Sequence, residues 1–194
     1  MAESPPGELA EIDFGRLGPV PDPLSGRRRV AWALVVVLPF SRHQYVHVIF
    51  SQKIPHLIDG LEDSWAFFGG VTRRVVLDNM RTAVTKADRY DPILQRTFNE
   101  YAAYRGFVID PAPVRDPTAK PHVERVVPCF RDSCFRGESW RDLEEVKAAA
   151  IKWCLGMAGT RTQSGREAGP RLRRSHAPED ASAPGTRWPI DRSR

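Results

Sequence analysis

Three acidic residues occupy positions from which the chain can bring carboxylates to one place. Asp13 lies in a short strand pattern, Asp78 directly follows the apolar run at residues 75–77, and Glu124 lies near the start of a helical pattern. Clustered carboxylates repel one another, so such a group is tolerable only when cations lie between them. Oxygen ligands favour Mg²⁺ or Mn²⁺ over zinc. Two such ions about 3.5–4 Å apart can activate an attacking oxygen and stabilise a leaving oxygen at one phosphate, so the predicted chemistry is phosphodiester transfer.

The order of strands and helices decides whether these acids can meet. A long apolar run at residues 29–38 indicates a central strand covered on both faces, and the alternating pattern at 44–50 indicates its half-exposed antiparallel partner. The predicted elements, in chain order, are strands at 9–15, 29–38 and 44–50, a helix that ends at 69–70, a strand at 75–77, a helix at 94–104, a strand at 107–110, and helices from 122 and 140. This order predicts an α/β fold with a mixed sheet, three antiparallel strands followed by parallel strands, flanked by helices.

In such a sheet the first strand can lie beside the strand at 75–77, which would place Asp13 and Asp78 side by side at the rim. Open α/β sheets bind their ligands at this rim. Glu124, at the start of the helix after the last strand, can reach the pair from above. Asp110 and Asp116 are its competitors for the third position, but both border a proline-rich stretch where a cap or turn role is more common.

Residues 18–29 are predicted to interrupt the sheet. Pro19, Pro21 and Pro23 break regular structure there, and Ser25-Gly26 marks a turn. The first strand is therefore expected to end near Gly15.

Charge and apolar content restrict the class of protein. The net charge is +5, but residues 160–194 hold eight Arg, no Lys and four acidic residues, which leaves only +1 for the rest of the chain. Nucleic-acid binding by the body must therefore come from local patches or bound metal ions. The longest apolar run, at 30–40, is about half of a bilayer span. The acidic start of the chain is unlike a signal peptide, so no membrane association is expected.

The same composition suggests one domain with two extensions. A chain of 194 residues suits a single domain of about 150 residues. We expect a flexible N-terminus at 1–7, a folded core at 8–158, and a disordered basic tail at 159–194, where periodicity is lost. Three cysteines without a CxxC spacing favour neither a disulfide framework nor a zinc site, so a reducing cytosol is the simplest compartment.

Three segments of the chain resemble one known family. They are Ala10-Glu11-Ile12-Asp13-Phe14-Gly15, the stretch Val75-Val76-Leu77-Asp78-Asn79-Met80-Arg81-Thr82-Ala83-Val84, and the stretch Arg115-Asp116-Pro117-Thr118-Ala119-Lys120-Pro121-His122-Val123-Glu124-Arg125. The residue types in these segments, and the order of the segments along the chain, resemble those of the integrase catalytic core of IstA-type bacterial insertion-sequence transposases. These transposases are a DDE group related to retroviral integrases. The resemblance extends from about residue 7 to residue 161.

The resemblance implies a ribonuclease-H-like fold and a site of three acids, Asp13, Asp78 and Glu124, that holds two Mg²⁺ or Mn²⁺ ions. The implied reaction is DNA cleavage and strand transfer at the ends of a mobile element. Asn79 would orient the site, and Lys120 and Arg125 would contact the DNA backbone, although a solvated flank is an equally good interpretation of both. The resemblance also implies a homo-oligomer, a helper ATPase as partner, and a cytoplasmic, nucleoid-associated protein.

The chain differs from the family in two ways, and these differences leave more than one interpretation of its function. No segment before Asp13 can form the expected helix-turn-helix, and the likeness stops near Arg161. We therefore expect a truncated remnant that keeps the metal site but cannot transpose alone. The alternatives are a catalytically silent module that binds nucleic acid or assembles with transposase subunits, and a pseudogene product that folds poorly.

Overall fold

The computed structural model describes residues 5–77, 92–111 and 123–156, except for the side chains of 92–95, 111 and 124. Within these ranges five strands and four α-helices form one sheet with helices on both faces. The strands are β1 (Leu9–Asp22), β2 (Arg27–Leu38), β3 (His43–Ile49), β4 (Arg74–Leu77) and β5 (Val108–Pro111), and the helices are α1 (Ile54–Phe68), α2 (Pro92–Arg105), α3 (Val123–Phe130) and α4 (Leu143–Leu155).

The sheet is mixed, with strand order β3-β2-β1-β4-β5. β1, β2 and β3 form an antiparallel meander, whereas β4 joins β1 in parallel and β5 joins β4 in parallel. β1 is thus at the centre of the sheet, where the antiparallel and parallel halves meet. This confirms the predicted mixed sheet and the predicted neighbourhood of the first strand and the strand at 75–77.

The prediction that residues 18–29 interrupt the sheet was wrong. β1 continues to Asp22, with a bulge at Leu17, and only the four residues before Arg27 form a turn. Proline is tolerated where its missing N–H would not have bonded to the neighbouring strand. Pro19 and Pro21 are two positions apart and so face the same way, and β4 pairs with β1 only from Leu9 to Ile12.

β3 is also more buried than its alternating pattern suggested. Tyr45, Val46, Val48 and Ile49 are all buried, because helices cover both sides of the strand. α1 packs on one face, where Gly60 lies close to Leu34 and His47, and α4 packs on the other. Half exposure would have required one uncovered face.

The helix boundaries follow from local chemistry. Pro55 lies in the first turn of α1, and Gly69 ends the helix with φ at 77°, in the left-handed region that glycine adopts freely. The Asp142 side chain accepts from the Glu145 N–H at the start of α4, which is a regular N-cap. Pro128 lies inside α3, which continues directly into a five-residue π-helix at Arg131–Phe135.

The helices divide into two groups. α1 and α2 lie together and are joined by the buried ion pair of Glu62 and Arg105. α3 and α4 are joined by the rings of Phe130 and Trp153, whose centroids are 5.2 Å apart. None of the helices in the described ranges has both the length and the apolar content needed to cross a membrane. The core is therefore a sheet between two helical layers.

Candidate functional site

Asp13 lies on β1 where the parallel pairing with β4 ends. The last pair in that ladder is Ile12 with Leu77, so Asp13 is the next residue on β1 and Asp78 is the next residue in the chain after Leu77. The Asp13 carboxylate is half-buried, and its Oδ1 accepts a hydrogen bond from the Phe14 N–H at 2.8 Å. The pairing of Ile12 with Leu77 is the one that the predicted meeting of Asp13 and Asp78 requires. Asp78 itself lies outside the described residues.

Several predicted site residues lie outside the described part of the chain. Asp78, Asn79 and Lys120 fall within residues 78–91 and 112–122, and so does the competitor Asp116. Their predicted roles stay predictions.

Glu124 is the second residue of α3, and the backbone around it is held against β1 at two points. The Val123 N–H donates a hydrogen bond to Oε2 of Glu11 at 3.3 Å. Further along the helix, Val127 fills the space beside Gly15, where a Cβ would lie only 1.9 Å from Val127 Cγ1. Glu124 follows Val123 directly and precedes Val127 by three residues, so both contacts act on its own helical turn.

Glu11, Asp13 and Gly15 share one face of β1. Alternate residues of a strand point to the same side of a sheet, and the contacts of Glu11 and Gly15 show that this side is the one covered by α3. Asp13 lies between them, about 6.6 Å along the strand from each at the usual rise. The fold therefore brings the backbone of residue 124 to the strand face that carries Asp13.

Glu11 is the residue that sequence reasoning missed. Its side chain is almost completely buried, with 3% of the residue exposed, although it is a carboxylate inside an apolar strand. The signal was present in the sequence, because a charged residue two positions before Asp13 must share its face. Only the position of α3 shows what Glu11 binds.

Arg125 and Asp110 are the remaining candidates that the structure describes, and their surroundings differ. Arg125 is exposed, as a residue that contacts a DNA backbone must be, and the solvated interpretation also fits. Asp110 lies on β5 and forms an ion pair with Arg74, which occupies its carboxylate on the edge strand. Asp110 is therefore a weaker candidate than Glu124 for the third acid.

The oxygen atoms of the predicted acids are the donors that a metal ion would use at this site. Among the side chains that the structure describes, no three His, Cys, Asp or Glu residues form a group that could hold a metal; the predicted group includes Asp78 and the Glu124 carboxylate, which are outside that set. Asp13 offers oxygen atoms alone, at a partly accessible position, and oxygen is the donor that Mg²⁺ and Mn²⁺ prefer. Asp13 is therefore a suitable donor for a hard divalent ion, and the other ligands remain predictions.

Comparison with known proteins identifies the relatives of the chain. It is 39% identical over 173 residues to a Mycobacterium tuberculosis (strain H37Rv) protein named "Putative transposase Rv3428c", a match that covers 89% of this chain and 42% of that protein. It is 26% identical over 156 residues to a Bacteroides fragilis protein named "Transposase for insertion sequence element IS21-like", covering 79% and 29% respectively. The chain thus spans less than half the length of these relatives. No protein-family model matches the sequence.

A solved structure shares the fold. The catalytic core domain of HTLV-2 integrase, determined with magnesium in a dimeric form, superposes with a TM-score of 0.57 and 14% sequence identity, covering 86% of this chain and 97% of that one. The likeness confirms the predicted ribonuclease-H-like fold. Together with the homology to insertion-sequence transposases, it supports a core of the transposase and integrase type.

Proposed function

We propose that this chain is the catalytic core of a DDE-type transposase that cleaves and joins DNA phosphodiesters, with Asp13, Asp78 and Glu124 as its three acids. The observation that carries the proposal is the packing of α3 on β1. Glu11 binds the amide of Val123 and Gly15 admits Val127, so the helical turn of Glu124 lies on the face that carries Asp13. Homology to transposases supports the reaction class.

The cofactor that fits this site is a pair of Mg²⁺ or Mn²⁺ ions, held by the carboxylates of Asp13, Asp78 and Glu124. When bound at such a site, divalent ions activate the attacking oxygen and stabilise the leaving oxygen at a phosphate. The HTLV-2 integrase core was solved with magnesium. The chain's own contribution is to hold three mutually repelling carboxylates close together on a rigid sheet and helix.

The residues around the acids would bind and orient the substrate. Asn79, next to the second acid, would orient the site by hydrogen bonding. Lys120 and the exposed Arg125 flank the third acid, and both would bind phosphate oxygens of the DNA backbone. These contacts position DNA but carry no sequence information.

The partners follow from the same proposal. The DNA substrates are the ends of a mobile element and a target site, and the active form is a homo-oligomer, as in the dimeric HTLV-2 integrase core. A helper ATPase completes the set. The chain spans less than half the length of its transposase relatives.

The metal site can be tested by thermal melting with and without Mn²⁺. A ligand that binds only the folded state raises the midpoint, and at 100 times its Kd it stabilises the protein by about 2.7 kcal/mol. We expect a rise for the parent and none for Asp13→Asn, Asp78→Asn or Glu124→Gln. The melts of these variants without metal should match or exceed the parent, because one repelling charge has been removed.

Glu100→Gln is the matched control, since Glu100 is exposed on α2 and pairs with the surface residue Arg96 at 2.7 Å. This variant should respond to Mn²⁺ like the parent. An equal response in all three site variants would refute the assignment of the acids. A parent that binds duplex DNA and melts cooperatively, but shows neither a Mn²⁺ response nor metal-dependent nicking of DNA, would be the silent binding module instead.

A further inference from the structure

Glu11 is a buried carboxyl group that the three-acid site does not use. Its neighbours on β1, Ala10 and Ile12, are fully buried, and Glu11 itself is 3% exposed. Burying a carboxylate is costly unless hydrogen bonds compensate for the lost water. One contact that connects it to a distant element is with the amide of Val123, 112 positions along the chain.

Val123 is the residue at which α3 begins. The first four N–H groups of a helix have no partner within the helix, and the partial positive charge at that end favours an anion. Glu11 therefore provides from β1 what a capping side chain usually provides from within the helix.

A second contact, between Val127 and Gly15, restricts how α3 can lie on β1. Val127 lies against Gly15 with no room for even a methyl group, so α3 can neither approach β1 further nor rotate freely about that point. With Val123 bound to Glu11 and Val127 against Gly15, the turn between them has a defined height and rotation above β1. Glu124 is in that turn.

We propose that Glu11 is a positioning residue that holds the first turn of α3, and with it Glu124, in register with Asp13. Glu11 acts through the Val123 amide and is not itself a metal ligand. The proposal rests on the proposed function, in which Glu124 is the third acid. A misplacement of about 1 Å at a catalytic group can lower a rate by about 100-fold, which sets the size of the expected effect.

Two substitutions separate positioning from metal binding. Glu11→Gln keeps an oxygen that can accept from the Val123 N–H but removes the charge, whereas Glu11→Ala removes the acceptor. We expect Glu11→Gln to retain Mn²⁺-dependent DNA nicking within a few-fold of the parent. We expect Glu11→Ala to lower kcat by about 100-fold with a much smaller change in KM for DNA, since the loss is in alignment and not in DNA binding.

Substitutions of the exposed residue Glu100 provide the controls. Glu100→Gln and Glu100→Ala make the same chemical changes on the surface of α2, and both should nick DNA like the parent. If Glu11→Gln lost activity and Mn²⁺ response as fully as Glu11→Ala, Glu11 would be a ligand and the proposal would be wrong. Parent-like kcat in Glu11→Ala would also overturn it.

A readout that does not need activity keeps this test separate from that of the proposed function. Amide hydrogen exchange at Val123 should be slow in the parent and in Glu11→Gln, and faster in Glu11→Ala relative to amides in the middle of α4. An unprotected Val123 amide in the parent would refute the positioning role, even if Glu11→Ala failed to fold. A protected amide in a parent without Mn²⁺ response or nicking would refute the proposed function and leave the Glu11 bond established.

Discussion

Two acidic residues on one strand face have different surroundings and, in our interpretation, different roles. Glu11 is buried and binds the amide that begins α3, whereas Asp13 is half-buried at the point where the pairing of β1 with β4 ends. In the proposed function Asp13 is a metal ligand, whereas the buried Glu11 already accepts a hydrogen bond from the Val123 N–H. The two carboxylates are therefore not interchangeable, although they are only two positions apart.

His43 provides a pH-dependent prediction at the scale of a residue. Its ring packs against Phe67 and Phe68, with centroids 5.5 and 5.6 Å away, and burial lowers the pKa of His43 below its usual value of 6.5. The unfolded chain therefore binds a proton at His43 at a higher pH than the folded protein does. Stability should fall as the pH drops below about 6.5, and this contribution should level off below the lowered pKa.

The measurement is the urea midpoint of the parent and of His43→Phe between pH 5 and pH 8. The phenylalanine ring keeps the aromatic contacts but cannot be protonated, so the variant should lose less stability on acidification. His56→Gln is the control, because His56 is exposed on α1. An identical pH profile for the parent and His43→Phe would contradict the prediction.

At the scale of elements, the contact of β1 with α3 depends on one glycine. Gly15 has no side chain, and a Cβ there would lie 1.9 Å, 2.5 Å and 2.7 Å from the three side-chain carbons of Val127. Val127 is β-branched and cannot move aside easily. We expect Gly15→Ala to destabilise the protein by about 1–3 kcal/mol, the usual cost of overpacking a core, and to weaken the Mn²⁺ response, because α3 carries Glu124.

The matched experiment is a double-mutant cycle with Val127→Ala, monitored by chemical denaturation. Removing the two methyl groups of Val127 relieves the two shortest contacts, so the double variant should be less destabilised than the sum of the single variants. Additive effects would mean that Gly15 and Val127 do not compete for the same space.

Two predictions about strands, for β1 and for β3, were wrong for a reason that also belongs to the scale of elements. Proline within a run normally argues against a strand, yet β1 extends through Pro19 and Pro21, which lie beyond the part of β1 that pairs with β4. Alternation of polar and apolar residues normally indicates one exposed face, yet α1 and α4 cover both faces of β3. Each error concerns what lies beside a strand, and this cannot be read from the strand itself.

At the scale of the whole molecule, a buried polar cluster joins the two helices on the side of the sheet away from α3. Nε of Arg105 donates to Oε1 of Glu62 at 2.7 Å, the Tyr101 hydroxyl donates to the same oxygen at 2.8 Å, and Nε1 of Trp65 donates to the Tyr101 hydroxyl at 3.1 Å. Burial and the charge of Glu62 raise the pKa of Tyr101 well above its usual value, so the hydroxyl remains a donor.

Removing one member of this cluster should affect stability and leave the site chemistry intact. Glu62→Ala leaves the buried Arg105 guanidinium without its carboxylate, which typically costs about 3–5 kcal/mol. Glu100→Ala breaks the exposed pair with Arg96 and should cost less than about 1 kcal/mol. Denaturant titrations measure both values.

Glu62→Ala and Gly15→Ala should differ in their response to Mn²⁺. A folded Glu62→Ala sample at low temperature should retain the Mn²⁺-induced rise in melting midpoint, since Glu62 is on the opposite side of the sheet. Loss of that response in folded Glu62→Ala would show that the two helical layers are coupled, and would contradict the independence expected from their positions.

The sequence alone was enough to identify the order of elements, β2 as an interior apolar strand, the likeness to transposase cores, and Asp13, Asp78 and Glu124 as candidate acids. These depend on local properties, namely apolar periodicity, turn residues and short motifs, which are present in the chain whether or not it is folded. The tertiary structure alone showed that Glu11 holds the start of α3 and that Gly15 admits Val127. Both contacts join residues more than one hundred positions apart, and only the packing of a helix on a sheet determines which buried groups meet.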